Sequence, residues 1–134
     1  MIKPAPLLAE LGVDSTTITP DEVTALLGVA PTTVSWAGER RRPGAPLRQF
    51  HSWSLTLGTT EISSSIDEIL VQRLSELGEP VAARLAQLCL RGADVVLTLL
   101  QHLDPERSET HGIALPTPVV AWLARAGACI SIDQ

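Results

Sequence analysis

Cysteine is scarce in this chain: 134 residues contain two, Cys89 and Cys129. Both fall in apolar periodic segments, where a free thiol packs as a small hydrophobe, so they are expected buried and unpaired, with no disulfide framework. Neither has a positive neighbour in sequence, and that argues against a reactive thiolate. Long apolar runs are also missing. Runs such as VVLTLL from Val95 fall far short of the roughly 20 residues that cross a bilayer. The opening MIKPAPLLAELG interrupts its short apolar run at Glu10, unlike a secretory signal. A cytoplasmic protein without membrane contact is the expectation.

Chemistry-bearing motifs are equally sparse. Neither GxxxxGK nor GxGxxG occurs, which removes the glycine-rich phosphate loops, and no GxSxG marks a nucleophile elbow. His51, His102 and His111 stand at none of the short spacings HxxxH or HExxH, and the cysteines form no CxxC. His102 and His111 flank the polar loop LDPERSET and read as solvated loop histidines. The carboxylate pairs Asp21-Glu22 and Asp67-Glu68 open helices, where the macrodipole accounts for them. No catalytic residue, metal or cofactor is expected.

What is present is hydrophobic surface. Hydrophobic residues make up 45% of the chain and charged ones 19%, far from the regime of disorder. A chain of this size forms a single domain, 1-134, that buries roughly two thirds of its unfolded surface. The net charge of -5 opposes binding to nucleic acid or anionic membrane. The basic residues are arginine apart from Lys3, and with abundant alanine and leucine this is the composition of a GC-rich bacterial genome.

Helix punctuation is dense. In ITPDEVTALLGVAPT, Thr19 is an N-cap, Pro20 occupies N1, Glu22 at N3 completes a capping box, and Gly28 supplies a left-handed stop. A helix over Pro20 to Leu27 is predicted, with Val23, Leu26 and Leu27 on its docking face. Ser65 and Glu68 repeat the capping box ahead of Ile66, Ile69, Leu70, Leu74 and Leu77, and Gly78 ends that helix. Pro80 restarts another, with Val81, Leu85, Leu88 and Cys89 on one side. A further helix begins at Thr117 and Pro118, presents Val119, Val120 and Leu123, and stops at Gly127.

Strand patterns lie between them. HSWSLTL alternates with His51, Trp53, Leu55 and Leu57 on one face, and DVVLTLLQHL is apolar on both. PLLAELGV, TTVSWAG, IAL and ACISID complete the set. The predicted order is β-α-β-β-α-α-β-β-α-β: an α+β two-layer sandwich, a mostly antiparallel sheet with helices packed on it, and a ferredoxin-like core.

Pro20-Asp21-Glu22-Val23-Thr24, Leu27-Gly28 followed by Pro31-Thr32, Gly38-Glu39, the tryptophan strand at Trp53 and the closing LARAGACISID together resemble a bacterial family catalogued as domain of unknown function 4279. The likeness covers nearly the whole chain. It implies a small bacterial protein and brings no activity with it.

The distinctive segment outside the core is WAGERRRPGAPLR. Arg40, Arg41, Arg42 and Arg48 place four positive charges within nine positions. Pro43, Gly44 and Pro46 predict an irregular, flexible, exposed loop between two strands. Trp36 and Phe50 flank it with aromatic surface, and guanidinium groups suit carboxylate, phosphate or aromatic partners. Two readings of function stand. The first is a non-enzymatic protein-interaction module, including an inhibitory or immunity-like one or a self-associating one, acting through a sheet edge or the arginine segment on an unknown protein partner. The second is an enzyme or small-ligand binder with a pocket between helices and sheet near Trp53, His51 and the arginines.

Overall fold

Period-two alternation along three segments builds the centre of a sheet. The computed structural model describes residues 7–60, 65–101 and 113–133. Ala9, Leu11 and Val13 of β1 (Leu7–Ser15), Trp53, Leu55 and Leu57 of β3 (His51–Thr59), and Val95, Leu97 and Leu99 of β4 (Asp94–Gln101) are all buried on one face. The residues between them stay partly or fully exposed. The helices α1 (Pro20–Leu27), α2 (Ile66–Leu90) and α3 (Thr117–Ala126) therefore cover one side of the sheet and leave the other open. With β2 (Thr33–Ser35) and β5 (Cys129–Asp133) at the edges, the sheet order is β2-β3-β1-β4-β5. Every pairing is antiparallel except β4 with β5.

Local chemistry sets the connections. Ser15 is buried at the end of β1, and its hydroxyl accepts from the backbone N–H of Thr17 and of Ile18, which turns the chain toward α1. Thr19 then caps α1, its hydroxyl oxygen accepting from the Glu22 N–H at 3.2 Å. Glu22 accepts a hydrogen bond from the Thr19 hydroxyl on Oε1 and reaches Arg91, just past the end of α2, with Oε2 at 3.3 Å. Ser65 caps α2 in the same way. Its hydroxyl, with the first backbone N–H groups of the helix, holds the Asp67 carboxyl below its ordinary pKa.

The architecture is α+β with a mostly antiparallel sheet, as the patterns predict. Its element order is shorter, at β-α-β-β-α-β-α-β. The span α2 is two helical segments that meet at a kink, as the glycine and proline predict: Gly78 has φ 78° and ψ 179°, a backbone region open to glycine alone. Pro80 tolerates the restart because the first turn of a helix needs no N–H from it. Ile113 to Leu115 forms no strand, because both edges of β4 are taken, by β1 and by β5. In α3 the inner face is Val119, Trp122, Leu123 and Ala126, while Val120 turns outward at 49% exposure.

The cysteines also depart from expectation. Cys129 lies exposed on an edge strand beside Val96, and Cys89 is half-buried, its thiol pKa pushed up by burial. Both are free. Among the described residues, no helix is long and apolar enough to cross a membrane. The loop carrying His102 and His111 lies outside the described residues.

Candidate functional site

The segment between β2 and β3 carries the arginines, and it is a built hairpin rather than an irregular loop. Gly38 donates its N–H to Arg48 O at 2.8 Å, Arg48 donates its own to Glu39 O at 2.7 Å, and Arg40 pairs with Leu47 as an antiparallel bridge. The tip is Arg42-Pro43-Gly44-Ala45, closed by the Ala45 N–H on Arg42 O at 3.1 Å. Proline in the second place and a glycine at φ 83° in the third make the arrangement of a type II turn. The residues that predict irregularity thus supply the reversal.

The neck of the hairpin is anchored by His51 and Trp36. His51 stands at the start of β3 and accepts the Ala37 N–H on Nδ1 at 3.1 Å. The Trp36 ring meets it edge-to-face, centroids 5.5 Å apart. Glu39 spends Oε1 on the Trp36 N–H at 2.9 Å. These contacts fix where the hairpin leaves the sheet.

The four arginines divide. Arg40 donates through Nη1 to Ala45 O and braces the turn from within. Arg41, Arg42 and Arg48 line an open cleft of about 360 Å³ together with Ala45 and Pro46. The ion pairs among the described residues engage Arg73, Arg91 and Arg125, none of them in the hairpin. Arg48 is half-buried, and Arg41 and Arg42 are exposed. The cleft is therefore a concentration of positive charge on a protein of net charge -5. Leu47, Phe50 and Val34 add apolar surface in the same part of the chain, exposed at 52%, 50% and 46%.

Trp53 does not join this site. It is 1% exposed, and its indole N–H donates to Thr24 Oγ1 at 3.0 Å, tying β3 to α1. Trp53 offers a ligand almost no surface, because its ring is a core contact. A cavity of about 310 Å³ opens elsewhere, between α2 and α3, walled by Val71, Leu74, Gly78, Pro118, Val119 and Trp122. The Trp122 indole donates to Gly78 O at 3.1 Å, and Glu79 at its rim is ion-paired with Arg125. The sequence patterns miss this cavity, with Val120 rather than Trp122 taken for the helix face; the glycine break at Gly78 and the helical spacing of Val119, Trp122 and Leu123 are the signals that could have found it. Among the described residues, no three His, Cys, Asp or Glu side chains gather in a metal-binding group.

A family model described as Domain of unknown function (DUF4279) matches residues 5–134, and the chain belongs to that family. No curated protein and no solved structure matches it.

Proposed function

We propose that this member of the DUF4279 family is a non-enzymatic, cytoplasmic protein-interaction module that docks through its arginine hairpin on an acidic surface of a partner protein. The observation that carries this reading is the cleft of Arg41, Arg42 and Arg48, which no carboxylate among the described residues neutralises, on a backbone held by a Pro-Gly turn. A pre-formed hairpin loses little conformational freedom on binding, and arginine and aromatic residues are enriched at protein interfaces. We read the β1-α1-β2-β3-α2-β4 unit as a ferredoxin-like platform that presents the hairpin beside edge strand β2. The net charge of -5 disfavours nucleic acid as the partner.

Affinity capture from the source cell lysate tests the reading, comparing the wild type with Arg41→Ala/Arg42→Ala/Arg48→Ala. A stoichiometric acidic partner held by the wild type and lost by the variant is expected. Equal capture by both removes the hairpin from the function. Arg40 is left intact, because its bond to Ala45 O belongs to the hairpin itself.

The cavity between α2 and α3 favours a second reading, a binder of small apolar ligands, since its volume reaches the lower end of ligand pockets. The same captured protein, denatured and read by mass spectrometry for small molecules, tests it. A metabolite at stoichiometric yield supports this second reading.

A further inference from the structure

We propose that the cleft of Arg41, Arg42 and Arg48 is a receptor for a phosphoryl group carried on a side chain of the partner protein. The inference rests on the reading of the hairpin as the partner-binding element and adds the chemistry it selects. A carboxylate carries a single charge on two oxygens, and one guanidinium fork satisfies it. A phosphoryl group carries close to two charges and three terminal oxygens. Three arginines lining one cleft match the second group better than the first.

Position and space agree with that choice. Arg41 and Arg42 come from one strand of the hairpin beside its turn, and Arg48 from the returning strand. Donors therefore reach the cleft from two sides, with the half-buried Arg48 least free to swing away. At about 360 Å³ the cleft has room for the phosphoryl group together with the side chain that bears it. Arg40, engaged with Ala45 O, holds one wall in place rather than contributing charge to the ligand. The site suits one compact dianion. A long polyanion would extend past the cleft onto a surface whose overall charge is negative.

The test follows the arginine Nε–Hε resonances of the whole protein by NMR during titration at low salt. The probes are a short phosphoserine peptide with Gly and Ser flanks, the same peptide with Glu in place of phosphoserine, and inorganic phosphate. The phosphoserine peptide should shift Arg41, Arg42 and Arg48 and saturate at about ten-fold lower concentration than the Glu peptide. Arg48→Ala should weaken it by about ten-fold, the loss of one hydrogen bond to a charged group. Equal binding of the phosphoserine and Glu peptides would overturn the phosphoryl assignment while leaving an acidic partner in place. Inorganic phosphate saturating at the same concentration as the peptide would overturn the assignment to a protein side chain, and so would silence from every probe. Failure of the underlying reading shows separately, as partner capture that survives the triple arginine change.

Discussion

The helix-covered face of the sheet and the arginine hairpin solve the problem of holding a shape in opposite ways. Under the helices, Leu11, Trp53, Leu85 and Leu97 are essentially inaccessible to water, and side-chain burial fixes the backbone. In the hairpin no residue from Trp36 to Phe50 is buried, and the backbone is fixed by hydrogen bonds, its own and those of the Glu39, Arg40 and His51 side chains, and by Pro43-Gly44. Side chains that do not hold the structure are free to meet something else. Stability and recognition are thus assigned to separate parts of a small chain, and substitutions in the two parts should act on different measurements.

The largest effect on stability belongs to the core. Trp53→Ala removes a ring that fills the space between β3 and α1 and leaves Thr24 without its indole donor. A loss of about 3–5 kcal/mol in urea denaturation is expected. A loss below about 1 kcal/mol would mean that Trp53 does not fill the core as described, and the contrast between the two regions would fail.

The next effect sits where the helical layer itself bends. Gly78 holds φ 78° and ψ 179° inside α2, and a β-carbon there meets strain whatever the space around it. Gly78→Ala should cost about 1–3 kcal/mol. It should also disturb the bond from Trp122 to Gly78 O, seen as a shift in tryptophan fluorescence. An unchanged denaturation midpoint would show that the bend relaxes into regular helix at no cost.

How legible these regions are in the sequence follows the same division. Caps are local chemistry, so Thr19, Ser65 and the bounds of α1 can be read from a few neighbouring residues. Pairing is not local. Ile113 to Leu115 has the composition of a strand, yet β4 has no edge left for it, and no local pattern reports that. The inner face of α3 turns on Trp122 rather than Val120, a choice made by the space beside Gly78. In the hairpin, Pro43 and Gly44 read as breakers when taken singly and as a type II turn when taken together with the bridge from Arg40 to Leu47. The cluster of arginines is plain in the sequence. The division between Arg40, which braces the turn, and Arg41, Arg42 and Arg48, which line the cleft, appears only once Ala45 O has a position.

The smallest expected effect is the one that tests the comparison most sharply. Arg41→Ala/Arg42→Ala/Arg48→Ala takes away three guanidinium groups with no ion-pair partner among the described residues. Each change should move the folding free energy by no more than about 0.5 kcal/mol, measured by urea denaturation beside Trp53→Ala. Nearby positive charges repel one another in the free protein, so their removal relieves some of that cost while the aliphatic stem of the half-buried Arg48 is lost. The two contributions oppose each other, which is why the net effect is small. A large destabilisation would show that the hairpin is held by these side chains after all, and their role in binding would then be inseparable from folding. Near-native stability would leave any loss of partner capture attributable to the cleft alone.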